Sequence, residues 1–226
     1  PFNPKEKIIE YRVSEKYGDL ANSSISDFVD VLSSNSPAPG GGSVSALAGS
    51  LAAALSAMVG NLTVGKKGFE NLKSEMNALA IDGQQLKDKL IKYIDDDTNS
   101  FNSVIDAMRM PKKTDDEINI RHLAIQEATK IATYSPLSIL EACADVMPLA
   151  KLAVNKGNPN SISDAGVAAE MAHAGAQGGA MNVLINLTDI EDEAFCNEMK
   201  IKVEKILLTV NEQLMEIRKT VISALV

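Results

Sequence analysis

The chain has 226 residues, 45% hydrophobic and 23% charged, the balance of a folded globular protein rather than a disordered one. A net charge of -8 argues against nonspecific nucleic-acid binding, which needs a basic face, and makes any anionic ligand dependent on a local basic patch. Aromatics are 4% and Trp is absent, so the core must come from Leu, Ile, Val, Met and Ala, a bias towards helices.

Residues 1–22, opening "PFNPKEKIIEYRV", read as an arm or linker, and residues 23–226 as one helical domain. The chain starts on Pro, not Met, which predicts a fragment or a processed product. No charged segment leads into a short apolar run, so no signal peptide is expected. Ser24 or Ser26 is placed to cap a short helix ending near Ser34. "NSPAPGGG" cannot be helical. A second helix is predicted from Ser43 to about Val64. A third runs from about Gly68 to Met110, where Pro111 ends it. A fourth starts near Thr114, with Asp115, Asp116 and Glu117 in its first turn; Pro136 is a kink point and "KGNPN" the stop. A fifth spans Ser161 or Ser163 to near Leu187, and a sixth about Glu191 almost to the C-terminus. Strand alternation is nearly absent. The prediction is an all-α, up-and-down bundle of about five to six helices.

Residues 43–65 carry no charge, a run long enough to span a bilayer, but Ala, Ser and Gly drive insertion poorly and Asn61 and Thr63 are polar. On a helix the stretch splits into two faces. Ser43, Ala46, Ser50, Ala53, Ala57 and Gly60 form a small-residue face that lets another backbone approach. Leu47, Leu51, Leu55, Met58 and Leu62 form a bulky face expected to fill the core. No membrane association is predicted. Gly40, Gly41 and Gly42 before this helix could wrap N–H groups around an anion or planar ligand, or form a flexible turn; neither a Walker nor a dinucleotide pattern surrounds them.

The third helix carries one inward stripe from Leu72 through Leu79, Leu90 and Tyr93 to Phe101, Val104 and Met108. Asp97 lies on it, either as a hydrogen-bonded structural acid or as a functional one. Asp95 and Asp96 are expected to rotate towards solvent or a rim. On the fifth helix Asn182 and Asn186 share a face; they could clamp a heterocycle or cross-link helices. Gly175, Gly178 and Gly179 weaken that helix unless something packs closely there. Asp164 suits a first-turn acid. His122 and His173 have no sequence-local metal partners. Two basic pairs, Lys66–Lys67 and Lys112–Lys113, are either plain surface or a hold for a polyanionic tail. Cys143 and Cys196 form no CxxC pair, so neither a disulfide framework nor a zinc site is predicted, and a reducing cytoplasmic setting is the default.

At "APGGGSV", "DDDTNSF", "GNPNSISD" and "NVLINL", in this order over residues 24–220, the chain resembles the cyclodeaminase domain of formimidoyltransferase-cyclodeaminase. The opening segment then resembles the joint to a preceding transferase domain. The resemblance implies conversion of 5-formimidoyltetrahydrofolate to 5,10-methenyltetrahydrofolate and ammonia, a step of histidine degradation and one-carbon metabolism. It implies no metal or nucleotide cofactor, a folate substrate that can be polyglutamylated, a transferase domain on the same or a partner chain, and a homodimer or larger ring. Asp97 matches the position of the family's proton donor. Asp96 stands where the family often has Ala, and its extra charge is expected to raise the pKa of Asp97 if the two are close. Lys66 and Lys67 stand where the family often has an Arg pair. Gly40, Gly41, Gly42, Ser43, Asn182 and Asn186 are the candidates for holding the pterin, and Lys66 and Lys67 for the tail. A related group in the superfamily works as methenyltetrahydrofolate cyclohydrolase. A bundle that only assembles a bifunctional enzyme is a third reading.

Overall fold

The computed structural model describes residues 18–226. Six α-helices follow one another, with no strand among these residues: α1 (Ile25–Leu32), α2 (Gly41–Thr63), α3 (Lys73–Met108), α4 (Asp115–Lys156), α5 (Ile162–Asn186) and α6 (Glu193–Leu225). Short polar residues start most of them. Ser24 caps α1, Thr114 and Glu117 close a capping box on α4, and Asp192 caps α6, each taking up N–H groups the first turn leaves unpaired. Two helix starts of the sequence reading shift: α2 begins at Gly41 rather than Ser43, and α3 at Lys73 rather than about Gly68, after a 3₁₀ turn at Glu70–Leu72. Gly65 and Gly68 carry positive φ (76° and 94°) in the turn between α2 and α3, a conformation that a side chain would strain.

Contacts fix an alternating arrangement. Gly42 meets Asp97 while Gly60 meets Met76, so α2 and α3 are antiparallel. Gly179 lies on Pro136 and Leu140, and Gly175 on Cys143, so α4 and α5 are antiparallel too. Lys130 pairs with Asp192 and Lys151 with Glu216, so α6 runs parallel to α4 on the outside of the bundle. The result is the all-α, up-and-down bundle the periodicity predicts.

Helix α2 is enclosed by α3, α4 and α5. Its inner surface is the small one: Ser43, Ala46, Ser50, Ala53, Ala57 and Gly60 are all buried. The neighbours are glycine-rich at the same levels. A Cβ on Gly83 would stand 2.9 Å from the Ala53 carbonyl, and one on Gly175 2.8 Å from the Ser45 carbonyl. The expectation that the bulky face fills the core is overturned. Val44, Leu51, Met58 and Leu62 are exposed, and Leu47 and Leu55 only half-buried. The physical reason is separation: helices packed backbone to backbone have no room between them for leucine. By length and composition α2 could cross a membrane, but most of it is buried inside the fold.

The core beyond α2 uses Leu79, Leu90, Ile139, Leu140, Met147, Val183 and Val210, all essentially inaccessible. Cys143 and Cys196 are free thiols within it, and burial pushes the Cys143 pKa up to about 12. Of the arm read at residues 1–22, residues 1–17 lie outside the described part. The rest packs on α3: the backbone N–H groups of Leu20 and Ala21 donate to Asp95 at 3.0 and 3.1 Å. Asp95, expected towards solvent or a rim, is half-buried under these residues. It anchors the entry to the domain.

Candidate active site

No side chain caps the start of α2. The first helical bond there is Val44 N–H to Gly40 O, so the N–H groups of Gly41, Gly42 and Ser43 need partners outside the helix. Asp97 of α3 meets one of them, accepting from the Ser43 N–H. This requires α2 and α3 to touch. A Cβ on Gly42 would fall on the Asp97 carboxyl group. The Ser43 hydroxyl ties the pair further, donating to the Ile94 carbonyl at 2.8 Å and lying 3.3 Å from the Thr98 hydroxyl.

Burial raises the Asp97 pKa from 3.8 to about 6, and the Ser43 N–H bond pulls more weakly the other way. Asp96 is not the cause: its carboxylate pairs with Lys92 at 3.2 Å, one turn back. The expected charge coupling is replaced by desolvation.

Asp97 opens onto a cleft of about 330 Å³ at the end of the bundle where α2 starts. Gly40 and Gly41 form one edge, with Pro37 and Ala38 before them. Phe101, Val104 and Met108 continue the α3 wall. Phe101 and Met108 are exposed, so the stripe on α3 leaves the core here and lines an open cavity. Helix α4 contributes Thr129, Ala132 and Pro136, and α5 contributes Asn182, Ile185 and Asn186. The amide nitrogen of Asn182 donates to Gly178 O at 2.8 Å, and that of Asn186 reaches across to Ala132 O at 3.4 Å.

Seven of the nine sequence-selected site residues therefore gather at this end: Gly40, Gly41, Gly42, Ser43, Asp97, Asn182 and Asn186. Lys66 and Lys67 do not. They follow the other end of α2, a helix of 23 residues and thus about 34 Å long. There the Lys66 ammonium donates to Asn158 Oδ1 at 2.7 Å, while Lys67 is exposed. The other pair, Lys112 and Lys113, is exposed in the turn just after Met108, at the cleft end. Thr98, Ser100, Thr129, Ala132, Pro136 and Asp189 line the cleft without having been singled out for it. Pro136 alone carried a signal, as a proline inside a helical pattern. His122 lies by Glu191 and His173 by Asn211, and neither lines the cleft. Among the described residues no three metal-ligating side chains cluster.

The family model for formiminotransferase-cyclodeaminase matches residues 24–205. The chain is 39% identical over 202 residues to methenyltetrahydrofolate cyclohydrolase of Methylorubrum extorquens, covering 88% of this chain and 97% of that one. It is 39% identical over 209 residues to formimidoyltransferase-cyclodeaminase of Gallus gallus, covering 92% of this chain but 39% of that longer protein. The structure of formiminotetrahydrofolate cyclodeaminase from Thermotoga maritima superposes with a TM-score of 0.82 at 28% identity, over 92% of this chain and all of that one. These matches, spanning all but the ends of the helical domain, identify the chain as a member of the formiminotransferase-cyclodeaminase family.

Proposed function

We propose that the protein is a formimidoyltetrahydrofolate cyclodeaminase and that the cleft at the start of α2 is its active site. The observation that carries the reading is Asp97, a carboxyl group held at a pKa of about 6 on the wall of a cavity lined by aromatic and aliphatic side chains. In the reaction N10 of the folate attacks the formimidoyl carbon on N5. The C–N10 bond forms, the C=N π electrons move to the imino nitrogen, the proton displaced from N10 passes to that nitrogen, and a tetrahedral aminal bearing an amine results. The amine of that aminal leaves only when protonated. Asp97 delivers the proton as the C–N bond breaks, ammonia departs, and the N5–C–N10 bridge is left as methenyl. A group with a pKa near the working pH suits this, and such general acids contribute about 10²–10⁴-fold.

The substrate's reacting atoms must be held in register for ring closure. Phe101, Val104, Met108 and Ile185 offer apolar contact to a flat ring system, and Asn182 and Asn186 offer amide groups to its polar edge. The reading includes no metal, a polyglutamylated folate as substrate and a cytoplasmic setting within histidine degradation. It also includes a homodimer or larger ring formed through the exposed Val44–Leu62 stripe of α2, with a transferase domain on the same or a partner chain. A second reading, methenyltetrahydrofolate cyclohydrolase, has the near-complete coverage of the Methylorubrum extorquens relative behind it. Two assays on one preparation separate them. Cyclodeaminase activity releases ammonia from 5-formimidoyltetrahydrofolate. Hydrolysis of methenyltetrahydrofolate without ammonia release assigns the second reading, and inactivity on both leaves a scaffold.

A further inference from the structure

A proline inside a helix has no N–H to give to the carbonyl four residues back. In α4 that proline is Pro136 and the carbonyl is that of Ala132; both line the cleft. The Ala132 carbonyl does not go unused. It accepts from Nδ2 of Asn186, which arrives from α5. The approach is possible because Gly179, on the same face of α5 two turns earlier, lies against the Pro136 carbonyl and the Leu140 N–H; a Cβ there would stand 3.1 and 2.9 Å from them. Asn182, between the two, also commits its Nδ2 to a backbone carbonyl, that of Gly178. In both amides one N–H of Nδ2 is tied to a backbone carbonyl, which fixes the side chain and leaves Oδ1 outside these bonds.

We propose that Pro136 is a positioning residue: by freeing the Ala132 carbonyl it fixes Asn186 so that the cleft presents amide oxygens, selecting a ligand edge rich in N–H donors. The proposal concerns the same site as the functional reading and rests on it for the identity of the ligand, the donor-bearing edge of a reduced pterin. The orientation of Asn186 itself does not depend on that identity.

Pro136→Ala tests it. Alanine suits a helix and restores the N–H to Ala132, so the thermal midpoint is expected to hold or rise. In ligand-free protein the Asn186 side-chain NH₂ signals in a nitrogen–proton correlation spectrum should shift, and their hydrogens should exchange faster. Pro148 also lies inside α4 but does not line the cleft, so Pro148→Ala should leave those signals in place. In turnover, Pro136→Ala and Asn186→Ala should each raise KM about fivefold with kcat within about twofold, and the double variant should be no worse than Asn186→Ala alone. Unmoved Asn186 signals in Pro136→Ala overturn the proposal, as do additive effects on KM. If the parent turns over neither folate, the functional reading fails, and the spectroscopic comparison still decides the role of Pro136.

Discussion

The two ends of α2 are built from similar residues and do opposite things. At the Thr63 end the buried polar groups are linked: the Thr63 hydroxyl donates to Val59 O and accepts from Asn158 N–H, and Asn158 Oδ1 accepts from Lys66 and from Asn160 N–H. Glu75 and Lys156 close the same end with an ion pair at 2.7 Å. At the Gly40 end the helices part. Apolar side chains of α3 stand exposed, and an acid with a raised pKa faces the gap. A sealed end adds stability, whereas an open end holds an uncomfortable charge where a reaction can use it.

The largest expected effect tests that contrast at its sharpest residue. Asp97→Asn keeps the shape and removes the proton, so kcat should fall roughly 10²-fold or more. Asp95→Asn should weaken the anchor for Leu20 and Ala21 and lower the thermal midpoint, with a much smaller effect on kcat. Equal losses of kcat in the two variants would remove Asp97 from the chemistry. The pH dependence has a fixed sign. The folded chain keeps the Asp97 proton up to about pH 6, while the unfolded chain releases it near the ordinary value of 3.8. Folded protein thus binds the extra proton between these values, and stability falls as pH rises through the window. Asp97→Asn should therefore raise the thermal midpoint at about pH 7–8 and change it little below about pH 4. The parent kcat should decline above about pH 6 as the donor ionises.

Next in size is Gly42→Ala. The added methyl group would occupy the position of the Asp97 carboxyl and force one of them aside. A displaced acid should cost roughly tenfold in kcat. If Gly42→Ala retains parental kcat, the Gly40 end is looser than this contact implies. Away from both ends, Ala53→Leu should overpack α2 against Gly83 and destabilise by about 1–3 kcal/mol, read by chemical denaturation. Leu51→Ala on the exposed face should leave monomer stability nearly unchanged and, if the stripe joins two copies, shift sedimentation towards the monomer.

These sites differ in how far sequence reveals them. All six helices were legible, because periodicity, caps and prolines are local. Asp97 was legible because it interrupts an apolar stripe. Which face of α2 turns inward was not: both faces are apolar, and the choice depends on how near α3 and α5 come, which their own glycines set. The anchoring contact of Asp95 was not legible because its partners, Leu20 and Ala21, are about seventy-five residues earlier in the chain. In the α4 wall Thr129 and Ala132 have no signal in their own segment, and Pro136 signals only a proline within a helix. The wall belongs to the cleft only because α4 lies across from α3 and α5.

The smallest effect concerns the charges, and it separates the ends by ligand rather than by stability. The cleft contains Asp97 and Asp189 but no Lys, Arg or His among its lining residues. An anionic tail must find its cations beyond the cavity, and the exposed Lys112 and Lys113 follow the α3 wall where it leaves the cleft. Replacing both with Ala should raise KM for a polyglutamylated substrate about two- to threefold more than for the monoglutamate, and added salt should erase the difference. Replacing Lys66 and Lys67, about 34 Å away along α2, should leave the ratio of the two KM values unchanged and lower stability through the lost contact to Asn158. The opposite result, with the Lys66–Lys67 variant losing tail discrimination, breaks the comparison within one chain. It would mean that a second copy, laid antiparallel along the exposed α2 stripe, brings its sealed end to this open one.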